Sequence, residues 1–338
     1  MRIFLTGAAG LIGGEVARRL VERGHAVTAG VHRNREVRGN DGAVVPVAGD
    51  VAIDLAAPAL GLTDAEASAV AARHDLIIHC AATVRFDLTE AEYRATNVAG
   101  TAAMLSLAAR ADLPLLYVST AYVCGQRDGV IGEDDSLPAT GFANGYEASK
   151  AAAEALVATN PHHVIARPSI VVGDSRTGAI RSFDTIYAAF KLIAEGRVRQ
   201  MPARADATLD FVPIDHVARG LVALAETMPE AAGGRFHLVS GAPVAVGDWV
   251  AAIASYPQFT APTLIDPTAF DPAALPPLER RLYARVAGVY AGYFQRDPRF
   301  DDARFRALTE LACPPTGAAY LRTLIDHCIA TGFLRAVI

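Results

Sequence analysis

The sequence predicts an α/β protein built on a doubly wound parallel sheet, and three observations carry that prediction. Short apolar runs alternate with helical segments over roughly the first 240 residues, and strands alternating with helices imply parallel βαβ units. A glycine-rich turn, with Gly7, Gly10 and Gly13, separates the first apolar run from the first helical one. Beyond Gly173 the rhythm changes, which marks a smaller, mostly helical C-terminal substrate domain.

Residues 2–5 read as a short buried strand, and 15–23 as a helix stopped by Gly24. A strand, a glycine turn and a helix suit a dinucleotide pyrophosphate. Gly7 permits the tight turn, Gly10 lets backbone amides approach the phosphates, and Gly13 lets the helix pack close to the strand. The helix start, with Leu11 and Ile12, adds free N–H groups and a partial positive charge. The sheet is therefore expected to be Rossmann-type. Residues 25–31 form the second strand. At its end, where an acid would bind the ribose 2′-OH of NAD, stands Val31, followed by Arg33 and Arg35. A guanidinium there favours the 2′-phosphate of NADP, so NADPH is expected ahead of NAD. Two solvated loop arginines are the plainer alternative.

Residues 44–48 read as the third strand, ending at Gly49, Asp50 and Val51, with Asp50 placed to reach the adenine amino group. Thr63 caps a helix through Arg73. Residues 75–78 are a strand leading to His79, Ala81 and Ala82. The two alanines allow close cofactor approach, and a lone His79 reads as structural. A helical pattern covers 90–110, and 113–118 is the next strand, with Thr120 just past its end. Tyr146 and Lys150 open another helix, and 163–168 is strand six, ending at Pro168 on the cofactor side. Residues 182–195 are helical. Residues 209–215 give a short strand and a helix cap, and 235–239 the final strand. Six prolines between Pro257 and Pro277 make that stretch irregular. The expected division is 1–172 plus about 208–240 for the dinucleotide domain, and about 173–207 plus 241–338 for the substrate domain.

Residues 278–296 return to helical periodicity, with Leu278, Leu282, Val286 and Val289 on one face. The same segment carries Tyr283, Tyr290, Tyr293, Phe294, Arg280, Arg281, Arg285 and Arg296. An aromatic and basic amphipathic helix can rest on an anionic bilayer as a lid for a lipid substrate. An ordinary helix covering the substrate domain is the other reading.

Of the 338 residues, 52% are hydrophobic and 20% charged, enough to bury a large core. The formal charge of −5 argues against a nucleic-acid partner. A strand beginning at residue 2 leaves no room for a secretory signal, and no apolar run has membrane-spanning length. A cytoplasmic protein is expected, with contact of 278–296 at the inner membrane face and a homodimer both left open. Cys80, Cys124, Cys313 and Cys328 show no metal spacing, so no metal is expected.

The chemistry rests on Thr120, Tyr146 and Lys150. Tyr146 and Lys150 are four apart and project from one helix face. A free phenol titrates near ~10, and a neighbouring ammonium and the nicotinamide cation stabilise the phenolate, lowering that value toward the working range. Tyr146 then gives a proton to a carbonyl oxygen as hydride reaches its carbon, and Thr120 donates a hydrogen bond to the same oxygen.

With these residues in place the sequence resembles the extended short-chain dehydrogenase/reductase superfamily. The stretches TGAAGLIG, GDV, HCAA, STAYVCG, YEASK, RPSIVVG and DFVPIDHVA, together with Asn97, carry the resemblance from residue 1 to about 240. HCAATVRFD, VSTAYVCG, RPSIVVGDSRTG and the late Gly332-Phe333-Leu334 are similar to the fatty acyl-CoA reductases and thioester-reductase domains. The resemblance implies Gly7, Gly10 and Gly13 for the pyrophosphate, Arg33 for the 2′-phosphate, and Thr120, Tyr146 and Lys150 for catalysis. It implies NADPH-dependent reduction of a carbonyl on a hydrophobic acyl-chain or lipid substrate. The sequence reads as shorter than the eukaryotic acyl-CoA reductases, and no attached carrier or adenylation domain is expected. An acyl thioester and the keto group of a long-chain lipid, such as a 3-oxo sphingolipid, therefore both stay open. A sugar-nucleotide epimerase or dehydratase on the same fold, and a non-catalytic nucleotide-sensing protein, are the alternatives from other classes.

Overall fold

The computed structural model describes every residue except 185, 285–287 and 337–338, and the side chains of all described residues except 288 and 289. Seven strands form one parallel sheet: β1 Arg2–Thr6, β2 Ala26–Val31, β3 Gly49–Ala52, β4 Leu76–His79, β5 Leu115–Val118, β6 His163–Pro168 and β7 Arg235–Leu238. Their order across the sheet is β7-β6-β5-β4-β1-β2-β3. The chain builds outward from β1 through β2 to β3, then crosses back to add β4 on the other side. Phe4 accordingly pairs with Thr28 on one flank and with Ile77 on the other. The order reverses between β1 and β4, and the crevice beyond their carboxyl ends is where such a sheet binds its ligand.

Side chains alternate across β1, so Ile3 and Leu5 face one way and Phe4 the other. Ile3 and Leu5 pack with Val16 and Leu20 of the helix Leu11–Glu22 and with Val217 and Leu221 of the helix Ile214–Glu226. Phe4 packs with Met104, Leu107 and Val157 on the opposite face. Helices cover both faces, which is why the strands are continuous apolar runs rather than alternating ones. A third core joins the helices Ile186–Ala194, Val246–Ala254, Gly288–Gln295 and Ala318–Ala330 around Phe190, Trp249, Phe294 and Leu324. Short parallel pairs brace it, among them Ile170–Val172 with Phe211–Pro213.

One expectation is corrected. The third strand lies at Gly49–Ala52 rather than 44–48, with Ala29 opposite Asp50. Pro46 has no N–H to give a ladder, and Val44 and Val45 instead make antiparallel contacts with Arg38 and Val37. In segment 278–296, Pro277–Leu282 and Gly288–Gln295 are helical, while residues 285–287, Arg285 and the predicted face residue Val286 among them, and the side chain of Val289 lie outside what is described. Among the described residues no helix is long and apolar enough to cross a membrane.

Candidate active site

At the end of β1 the chain turns through Gly7, whose φ of 72° is in the left-handed region. A Cβ there would lie 2.8 Å from the Ala81 backbone nitrogen, and one on Gly13 would lie 2.2 Å from the Gly7 carbonyl oxygen. The turn closes by a Gly10 N–H bond to the Gly7 carbonyl at 2.9 Å. The following helix starts at Leu11 with no side-chain cap, leaving its first N–H groups free for an anion. Above this turn runs a cleft of about 920 Å³, large enough for a dinucleotide. Gly7, Gly10, Leu11, Ile12, Gly13, Ala81, Ala82 and Pro168 all line it. The glycine cradle and the cleft together fit a nicotinamide dinucleotide.

At the adenosine end the lining comes from Val31, His32, Arg33 and Asn34. Arg33 is exposed and makes no ion pair among the described residues, whereas Arg35 stands 3.4 Å from Asp50. The displaced third strand alters what lines this end of the cleft. Asp50 and Val51 lie outside the lining, and Ile53, Asp54, Leu55 and Ala56 take that place. The expected role of Asp50 therefore has no geometric support, because the strand's cofactor end sits several residues further on.

Buried behind the cleft lining, Asn97 holds the loop after β4, whose Thr83 lines the cleft. Its Oδ1 accepts the Thr83 N–H at 2.9 Å, and its Nδ2 donates to the Thr83 carbonyl at 3.1 Å and to Ser149 Oγ at 2.9 Å. Asn97 lies in a π-helical stretch, Arg94–Ala99, a distortion that often marks functional positions. His79 is buried between Thr6 and Thr101, hydrogen-bonded to both, and burial drops its pKa to about 3. A neutral structural imidazole is what that environment allows.

The end of the cleft that holds the predicted catalytic residues, called the catalytic end below, joins three pieces of chain. Thr120 follows β5 and accepts the Tyr122 N–H at 3.3 Å. Asn144 caps the helix Gly145–Val157, accepting the Glu147 N–H at 2.9 Å, and this sets Tyr146 in the first turn. Thr120 and Tyr146 line the cleft, but Lys150 does not. Lys150 is buried, donates to the Val118 carbonyl at 2.7 Å and lies 4.2 Å over the Tyr117 ring. Burial lowers its pKa to about 8. The Tyr146 phenol is shifted upward, first by burial and then by Glu147. The physical reason is its apolar setting, with the Phe86 ring centroid 5.6 Å from its own. A phenol held protonated is the form that donates a proton.

Several lining residues escaped the sequence reading. Phe86, Ile170, Val171, Ile186, Tyr290 and Tyr293 give the catalytic end apolar and aromatic walls. Tyr290 and Tyr293 belong to the segment read as a lid or membrane helix, and Tyr293 is buried. Arg296, grouped with the exposed basic face, is instead buried. It pairs with Glu147 at 2.5 Å, donates to the Gly125 carbonyl at 2.7 Å, and stacks over Tyr122 and Tyr293. Ser119 carries a buried hydroxyl without a partner among the described residues, and it lines the cleft beside Thr120. Its only sequence signal was adjacency to Thr120.

Fold, glycine cradle and Tyr–Lys helix define a class: an NAD(P)-dependent oxidoreductase of the extended short-chain dehydrogenase/reductase type. The family model described as male sterility protein, an NAD-binding family, matches residues 37–221, and the chain belongs to that family. A linear gramicidin synthase protein of Brevibacillus parabrevis is 31% identical over 221 residues, covering 62% of this chain. The polyketide synthase-nonribosomal peptide synthetase ACE1 of Pyricularia oryzae is 34% identical over 253 residues, covering 69% of it. The chain spans only 4% and 6% of those two relatives' lengths. Among solved structures, the terminal R domain from the myxalamid PKS-NRPS biosynthetic pathway superposes with a TM-score of 0.84 at 26% identity, over 100% of this chain and 92% of that one. MoeE5 in complex with UDP-glucose and NAD shares the fold, with a TM-score of 0.71 at 18% identity over 98% and 99% of the two chains.

Proposed function

We propose that the protein is an NADPH-dependent reductase of a hydrophobic acyl substrate, with an acyl thioester favoured over the keto group of a long-chain lipid. The observation that carries this reading is the character of the catalytic end of the cleft. Its walls are Phe86, Ile170, Val171, Ile186, Tyr290 and Tyr293, and Asp184 is the one charged lining residue there among the described residues. A sugar nucleotide would bring a diphosphate to walls that offer it no cation, at a substantial desolvation cost. A hydrocarbon chain meets no such cost. The likeness to a terminal R domain of a PKS-NRPS pathway and to peptide synthetases supports the thioester over the ketone.

In this reading NADPH, when bound, supplies the hydride, and Arg33 holds its 2′-phosphate while the Gly7–Gly13 turn holds its pyrophosphate. Thr120 and Tyr146 donate hydrogen bonds to the substrate carbonyl oxygen. As hydride adds to the carbonyl carbon, the π electrons move to that oxygen, which takes the Tyr146 proton. Lys150, anchored on Val118, fixes the helix face beneath Tyr146 and contributes positive charge. The resulting hemithioacetal expels thiol and leaves an aldehyde. Segments 173–207 and 241–338 act as the substrate-binding unit.

The test is NADPH consumption against long-chain acyl thioesters, 3-oxo lipids and nucleotide sugars. Turnover with thioesters, with thiol released in step, is expected. Turnover confined to nucleotide sugars would refute the proposal.

A further inference from the structure

We propose that a second, inner cavity receives the far end of the substrate's acyl chain, with Ile186 as the partition between it and the catalytic cleft. This rests on the reductase reading above and extends it to selection by chain length. The inner cavity measures about 30 Å³, room for one or two water-sized spheres, and sits inside the C-terminal core. Its walls include Val172, Phe190, Phe211, Trp249, Leu324 and Ile325. The polar groups on its lining side chains are the Trp249 indole N–H and the Tyr187 hydroxyl, which already accepts the Gly173 N–H at 2.9 Å. A cavity with such walls offers water too few partners and stays dry, so an apolar group is its natural occupant.

Two features join it to the cleft. Ile186 lines both spaces. Ile170 lines the cleft and Val172 the inner cavity, and residues two apart on one strand share a face. The Ile170–Val172 strand is thus a continuous apolar floor leading inward from the catalytic end. A chain whose carbonyl lies at Thr120 and Tyr146 can follow this floor, displace the Ile186 side chain and place its terminal carbons against Phe190 and Trp249. The ligand class that fits is an unbranched saturated or polyene tail, free of polar substituents at its far end.

The test is a homologous series of saturated acyl thioesters of one thiol, run on the full chain as wild type, Ile186→Ala and Leu324→Trp, with Ile325→Phe as a second cavity-filling variant. Each protein is first checked for NADPH affinity and a cooperative unfolding transition. In the wild type kcat/KM is expected to rise by up to roughly fourfold per methylene until the cavity is full, then to level off. Ile186→Ala moves that break to longer chains. Leu324→Trp or Ile325→Phe moves it to shorter ones, with the shortest thioester reduced at the wild-type rate. A break at the same length in folded variants of both kinds overturns the cavity proposal while leaving the reductase reading intact. Failure of the wild type to reduce any thioester, the shortest included, overturns both.

Discussion

At the carboxyl end of β2 the choice of cofactor turns on which side chain meets the adenosine ribose. Val31 offers no carboxylate to a 2′-OH, while Arg33 lines the cleft with its guanidinium free of ion pairs among the described residues. Arg33→Ala is therefore expected to weaken NADPH by about tenfold and leave NADH unchanged, a difference that titration of both cofactors reads directly. Equal loss for both would place the 2′-phosphate elsewhere. Lys150 sets a pH limit of its own. Its pKa is lowered to about 8, so it is charged below that value and neutral above it. Burial raises the Tyr146 phenol, which keeps its proton throughout. The rate of reduction should thus be level on the acid side and fall above about pH 8, by up to about tenfold per unit. A rate that rises through this range would remove the ammonium from the mechanism. The glycines, Thr120 and Tyr146 could be placed at one cleft from the sequence because they belong to short local patterns, whereas Lys150 from the same pattern is buried outside the lining. Ser119 was not legible, since its unpartnered hydroxyl is visible only once the cleft closes around it.

Among elements, the helix Gly145–Val157 carries Tyr146, the proposed proton donor, and is clamped from outside its own neighbourhood. Glu147 is fully buried and meets Arg296, 149 residues away in sequence. Removing one partner of such a pair leaves an uncompensated buried charge, at about 3–5 kcal/mol. Arg296→Met should lower the stability measured by urea unfolding by that amount, and the double variant Arg296→Met with Glu147→Gln should recover most of it. A single variant as stable as the wild type would mean that the pair is solvated. The sequence reading grouped Arg296 with Arg280 and Arg281 because spacing alone cannot see a partner so distant. The third strand was misplaced for a related reason. Residues 44–48 have strand composition, but the register with Ala29 and the missing N–H of Pro46 select Gly49–Ala52. That shift of a few residues leaves Asp50 outside the cleft lining.

At the scale of the molecule, the sheet supplies the cofactor crevice at its switch point, and the C-terminal core supplies the apolar walls that face it. The first half of that arrangement follows from alternating strands and a glycine turn. The second depends on Tyr290, Tyr293 and Ile186 folding back over the sheet, which no local pattern announces. The central claim is that this junction reduces the carbonyl of a hydrophobic acyl group. NADPH deuterated at its transferable position, incubated with a long-chain acyl thioester, tests it most directly by mass spectrometry of the products. The account predicts deuterium on the former carbonyl carbon of the aldehyde or alcohol, equimolar thiol release, and neither product with Tyr146→Phe. Thiol release without deuterium in the product, or full labelling by Tyr146→Phe, would contradict it.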